Sequence, residues 1–326
     1  MPICTTCTHY VSHLFTVYQS AYNLRLEQCS KCHSFVDPYV EHDSLTLLLD
    51  LILLKRGVYR HLLYNRGTEP RRAGETQEEV TKKREVSARN KEKERWVLIL
   101  RLGAILIFMD AFIRWSHLNP NQIPDLSPWT KETIEDLFRV FLGCLVETLA
   151  FHLGIIAACS VTLQLVELVQ RWKNRDRSPP PISDIKREFR FSLIPLTLFY
   201  SSLTKLFLLF LLTIWRPTSH QASSTVDSTS SADISHYDTW NGTYLFNTYL
   251  LHALDDQVDR EWIIRNVLGG MSAGFGLRVI LDIHPLFTSI IILAGWAAKT
   301  SVASLVSGWV GGDEMAREAW RAYSIP

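Results

Sequence analysis

The chain has 326 residues, 47% of them hydrophobic and 21% charged, with a formal net charge of +1. That balance carries no global basic excess of the kind a nucleic-acid ligand demands. The apolar residues are bunched into long blocks with the charges in the gaps, which points away from a soluble enzyme and toward a multi-pass α-helical membrane protein. Met-Pro-Ile at the start opens neither a basic n-region nor an apolar stretch, so no cleaved signal peptide is expected.

The first element in chain order is a pair of C-x-x-C turns, Cys4/Cys7 and Cys29/Cys32, separated by 21 residues. Each turn can aim two thiolates at one metal, and two turns close a tetrahedron around Zn²⁺. The run between them is rich in β-branched and aromatic residues and suits a short hairpin, giving a small N-terminal zinc-ribbon-like domain. Paired disulfides on a cytosolic side and a paired redox motif are the weaker alternatives. A shell of four thiolates leaves no open position for substrate, so the Zn²⁺ is expected to be structural. His9, His13 and His33 are expected to be surface histidines. Cys144 and Cys159, inside an apolar block, read as small hydrophobes.

Residues 44–54 are strongly apolar but too short to span, since eleven helical residues rise about 16 Å against a hydrocarbon core of roughly 30 Å. They should pack on the metal module or lie in the interface. Residues 66–95 are dense in charge and read as a disordered or singly helical linker. Removal of most of 68–92 is therefore expected to leave insertion intact.

Apolar blocks follow at Val97–Leu118, Phe138–Val169, Phe189–Trp215 and Trp262–Val310. The last is long enough for one or two passes, with a break at His284-Pro285. Domain boundaries are thus 1–65, a linker 66–95, three spans within 96–215, a Ser/Thr-rich acidic loop 216–261, and a C-terminal membrane region 262–326. Ten Lys or Arg in 66–95 and seven in 171–190 face the cytosol by the positive-inside rule, and the loops 119–137 and 216–261 fall in the lumen. Inside the spans, Glu147 and His152 are ionisable groups at bilayer depth. They are five apart, so a direct pair between them is not expected, whereas Lys205 could reach Glu147 across helices. Gly269, Gly270, Gly274 and Gly276 suggest close helix packing.

The N-terminal residues form a named pattern. The cysteine pairs, Leu24-Arg25-Leu26, the run Asp37-Pro38-Tyr39-Val40-Glu41-His42-Asp43, Leu49-Asp50-Leu51 and the run Val58 to Asn65 together resemble the ARV homology domain over residues 4–65. Two departures are Thr8, where the family often has Gly, and Pro38, where it often has Lys. The resemblance implies an endoplasmic-reticulum protein, found also in the Golgi, that handles membrane lipids. Sterol distribution, sphingolipid balance and glycosylphosphatidylinositol (GPI) precursor assembly are the processes it implies, without enzymatic activity. An adaptor that recruits or stabilises GPI- and sterol-synthesis enzymes is the alternative.

Tyr59, Arg60, His61 and Asn65 are the sharpest polar cluster outside the cysteines. They read either as a lipid or partner contact or as a cap on the metal module, with Arg60 paired to Asp43 or Asp50. Asn241-Gly242-Thr243 is a glycosylation sequon in the acidic loop. Occupancy of Asn241 is the expected outcome, read as a gel shift lost on glycosidase treatment and in Asn241→Gln. Labelling of the loop from the cytosolic side of intact microsomes would overturn the lumenal assignment.

Overall fold

The computed structural model describes residues 2–18, 24–72, 77–118, 131–173, 184–214, 263–310, 317–318 and 320–321. Asn241 and the rest of the 216–261 loop lie outside them. The described chain is mostly helical, with four helices long and apolar enough to cross a membrane.

The N-terminal module is built on a hairpin. Strand β1 (Phe15–Val17) pairs antiparallel with β2 (Leu24–Leu26) in the register Phe15 to Leu26. A two-residue strand β3 (Arg71–Arg72) adds in parallel to the other edge of β1. Two short helices follow. Helix α1 (Ser44–Ile52) is capped by Asp43, whose carboxylate accepts from the Thr46 N–H. Helix α2 (Arg56–Arg60) continues without a break into a π-wound turn, His61–Asn65.

Helix α1 both docks and faces outward, as its length and composition imply. Asp50 accepts from Tyr39 Oη at 3.2 Å and pairs with Lys55 at 2.7 Å, which ties the helix to the metal module. The Thr204 hydroxyl donates to the Ile52 carbonyl, which ties the same helix to the bundle. Leu45, Leu48, Leu49 and Leu53 remain exposed, an apolar stripe suited to the membrane interface.

The bundle consists of α3 (Gln77–Leu118), α4 (Lys131–Lys173), the short α5 (Asp184–Arg187), α6 (Leu193–Ile214), α7 (Gly269–Leu281) and α8 (Pro285–Val310). A π-wound segment, Ile263–Leu268, leads into α7. The linker stretch is helical from residue 77 and runs into the first apolar block as one helix. Its last turns are engaged: Lys91 Nζ donates to Thr68, Arg95 to Glu92 and Ser192, and Arg190 to Glu92. The stretch from residue 77 is thus helical, one of the two forms expected of it, and residues 91 and 92 also join the packed base.

Candidate spans are Asn90–Ser116, Thr133–Val169, Leu193–Leu212 and Pro285–Val310. The third is 61% buried within the protein while the others are 22–28% buried, so α6 is central and α3, α4 and α8 present apolar flanks outward. Pro195 does not break α6, because it stands in the first turn, where no backbone partner is available for its missing N–H. The fourth apolar block is two segments. Asp282 ends α7 in a left-handed conformation (φ 48°), and α8 begins at Pro285 as its first residue.

Helices α4 and α8 pack antiparallel through glycines. A Cβ on Gly154 would stand 2.7 Å from that of Ala298, and one on Gly295 would stand 2.6 Å from Ile155 Cγ1. Of the glycine cluster before the break, Gly270 lies under Trp296 and Gly276 against Thr197, whereas a Cβ on Gly274 would meet Ile292 Cγ1 at an ordinary contact distance, 4.0 Å. Gly154→Val should therefore separate α4 from α8 and cost about 2 kcal/mol or more by overpacking, seen as a lower melting temperature of the purified chain. Unchanged stability would mean that this helix pair is not packed as described.

Candidate metal centre and its supporting cluster

The two C-x-x-C turns fold alike because the same backbone bonds recur. Cys4 N–H donates to the His9 carbonyl and Thr8 N–H to the Cys4 carbonyl; Cys29 N–H donates to Ser34 and His33 N–H to Cys29. Each turn closes on a residue in the left-handed region, Thr8 at φ 65° and His33 at φ 58°. Thr8 is the place where the sequence departs from the glycine of the related pattern. A β-branched residue is a poor fit to that region.

The turns bring the four thiols together. Cys4 Sγ lies 3.7 Å from Cys32 Sγ, and Cys7 Sγ lies 3.5 Å from Cys29 Sγ. All four sulfurs fall within 4.8 Å of one another. A tetrahedral ion with bonds of about 2.3 Å separates its sulfurs by roughly 3.8 Å, so the set fits one metal. None is in a disulfide. Burial pushes the Cys4 thiol up and takes Cys7 to about 12, while the Ser34 N–H draws Cys32 down to about 6. Thiols that resist ionisation this way need a neighbouring cation to become ligands together, which a metal supplies.

Behind the thiols stands a buried carboxylate. Asp37, fully enclosed, accepts from the Tyr39 N–H at 3.1 Å, from His61 Nδ1 at 2.7 Å and from Asn65 Nδ2 at 2.7 Å. The Asn65 amide also grips Ile3 twice, accepting from its N–H and donating to its carbonyl, both at 2.9 Å. Ile3 precedes Cys4, so Asn65 clamps the first turn, and Asp37 holds the Asn65 amide and the His61 ring in place behind it. The i, i+4 spacing of His61 and Asn65 does place both on one face.

The remaining members of that cluster also face inward. Arg60 donates to the Thr5 and Thr6 carbonyls at 2.7 and 2.9 Å, inside the first turn, and not to Asp43 or Asp50 as expected. Tyr59 is fully buried, edge-on to Phe275 of α7. The contacts of Tyr59, Arg60, His61 and Asn65 are thus with the chain itself. Asp37 was read as part of a signature and not as its hub; its signal was the D-P-Y start, in which the carboxylate caps the turn Pro38–Val40.

Within the bundle, Glu147 is 1% exposed and its partner is Arg114 at 2.9 Å, not Lys205. Arg114 also holds Asp110 at 3.0 Å and lies over the Trp320 ring at 5.0 Å. His152 Nδ1 donates to the Thr148 carbonyl, so it makes no pair with Glu147. Cys144 and Cys159 are buried in apolar clusters.

A cysteine-clustered module clamped onto a bundle of candidate membrane spans defines a membrane protein with a headpiece whose four thiols could hold a metal ion. The sequence matches the Arv1-like family over residues 3–234, and the chain belongs to that family. It is similar to protein arv1 of Schizosaccharomyces pombe, 27% identical over 167 residues covering 49% of this chain and 54% of that protein. It is 48% identical to ARV1 of Saccharomyces cerevisiae over 63 residues, 19% of each chain, and 28% identical to human ARV1 over 156 residues, covering 47% and 46%. The matches thus span about half of these relatives or less. No solved structure matches the chain.

The clamp has a measurable consequence. Asn65→Ala removes three hydrogen bonds and leaves Asp37 and Ile3 short of partners, so the module should lose about 3 kcal/mol and release metal to a chelator faster. Thr8→Gly relieves the left-handed threonine and should shift stability the opposite way, by up to about 1 kcal/mol after the entropy of glycine. Elemental analysis of the purified full chain should find one metal ion, lost in Cys29→Ser and kept in Cys159→Ser. Equal metal content in both cysteine variants would sink the site.

Proposed function

We propose that the chain mediates sterol and lipid transport and homeostasis at the endoplasmic-reticulum membrane, affecting sphingolipid metabolism and GPI-precursor handling, and that it moves or presents lipids without transforming them. The observation that carries this reading is the family match across residues 3–234. The bundle supports it with a polar-lined cavity of about 130 Å³ between its helices, a feature suited to holding part of a lipid. In this reading the four thiols bind Zn²⁺ as a structural ion, because all four ligand positions are filled by cysteine. The N-terminal module faces the cytosol, as the basic stretches of 66–95 and 171–190 favour.

A second reading is an adaptor that recruits lipid-synthesis enzymes through the module. It is favoured by Phe35 and Tyr18, aromatic side chains left 53% and 41% exposed there. Reconstitution of the purified protein in liposomes, followed by sterol and glycolipid transfer, separates the two. Transfer above the protein-free rate is expected. No transfer and no lipid binding would move the assignment to the adaptor.

A further inference from the structure

Helices α3, α4, α6, α7 and α8 all contribute to the cavity between them. Part of its lining is balanced. Arg114 is bonded to both Asp110 and Glu147, a triad of net charge −1. The rest is not balanced. Lys205 and Lys299 line the same space, and neither makes a hydrogen bond or ion pair with another described residue. Arg265 lies in the same lining, and the two lysines exceed the single negative charge of the triad.

Two further polar atoms there lack partners among the described residues. Asn266 is 5% exposed and its Nδ2 makes no hydrogen bond. His152 Nε2 is buried without one; because Nδ1–H is given to Thr148, the neutral ring offers Nε2 as an acceptor. Positive charge held among apolar helices is costly until an anion joins it. A buried amide donor left open adds to that cost.

We propose that this cavity binds a phosphate group, carried into it on a lipid headgroup. Phosphate oxygens take charge-assisted hydrogen bonds from Lys205 and Lys299 and a further bond from the Asn266 amide. The phosphate's own proton, or a headgroup hydroxyl, is donated to His152 Nε2. The walls are apolar on the same scale, with Phe151, Phe199 and Trp296 lining them, so an acyl or glycerol part has a surface beside the charged end. Lys205, Lys299 and His152 are only partly covered, so the site is reachable from outside the protein. The lipid as the source of the phosphate rests on the lipid-handling reading above; the anion site itself does not.

The test uses the full chain in nanodiscs of neutral phosphatidylcholine, with phosphatidic acid added in one arm and inorganic phosphate in the other. Phosphatidic acid should raise the melting temperature saturably. Its apparent affinity should fall on the order of tenfold for each of Lys205→Gln and Lys299→Gln, one charge-assisted bond apiece. Lys205→Arg with Lys299→Arg should keep phosphatidic acid binding, and native mass spectrometry of the co-purified lipid reads the same loss if the glutamine variants accumulate poorly. Stabilisation by inorganic phosphate to the same extent supports the anion site and overturns the lipid source. Equal response to phosphatidic acid in the parent and the glutamine variants, or none in any, overturns the proposal. Sterol transfer on the same preparations keeps the readings apart: its absence with phosphatidic acid binding intact would remove the transport function and leave the site standing.

Discussion

The Asp37 carboxylate is the group on which the headpiece depends. It is wholly enclosed and accepts from a backbone N–H, an imidazole and an amide drawn from three places in the chain. A buried carboxylate without such donors is expensive, so the chain must bring His61 and Asn65 to it or not fold this way at all. Meeting that need sets the path of α2 and its π-wound continuation, and the Asn65 amide carries the constraint onward to Ile3 beside the first thiol. The thiol positions are therefore held from behind by hydrogen bonds. The Cys29 and Cys32 turn is fixed by its own backbone bonds, while the Cys4 and Cys7 turn also leans on Asn65 and Arg60.

The same rule governs the bundle, where Arg114 draws Asp110 and Glu147 together and places its guanidinium over Trp320. A guanidinium suits this role because its planar fork can serve two carboxylates while its face lies on an indole. A lysine offers a single point of charge and no face to stack. That difference explains why Lys205 did not become the partner of Glu147: Arg114, near the C-terminal end of α3 and beside the middle of α4, holds both carboxylates and leaves the lysines of α6 and α8 facing the cavity.

Much of the architecture was legible in residue type and spacing. The clustering of four thiols followed from two C-x-x-C turns, the break in the last apolar block from His284-Pro285, and the non-spanning nature of α1 from its length. Other features depend on helix rotation and on contacts distant in sequence, which periodicity does not encode. Tyr59, Arg60, His61 and Asn65 read either as a partner contact or as a cap on the module, and spacing does not show where they point: the donors of Arg60, His61 and Asn65 meet Thr5, Thr6, Ile3 and Asp37, more than twenty residues away in each case. The packing at the end of the linker was not legible, because charge-rich composition says nothing about Glu92 meeting Arg190 across nearly a hundred residues.

One helix joins the two halves of the molecule. Gly276 of α7 lets the backbone approach Thr197 of α6 and the Tyr59 ring of the headpiece, and Phe275 meets that ring edge-on. The opposite end of the same helical run supplies Asn266 and Arg265 to the cavity. The rise between these ends is about 15 Å at 1.5 Å per residue. Tyr59 follows directly on the chain that delivers His61 to Asp37. The headpiece and the cavity therefore share a rigid element: whatever fixes the thiol cluster also fixes Tyr59, and the seat of Tyr59 on α7 fixes where Asn266 stands. A thiol cluster remote from the cavity is in this way part of what shapes the polar lining between the spans. That offers a physical reason for a closed cysteine site to accompany a membrane bundle in one chain.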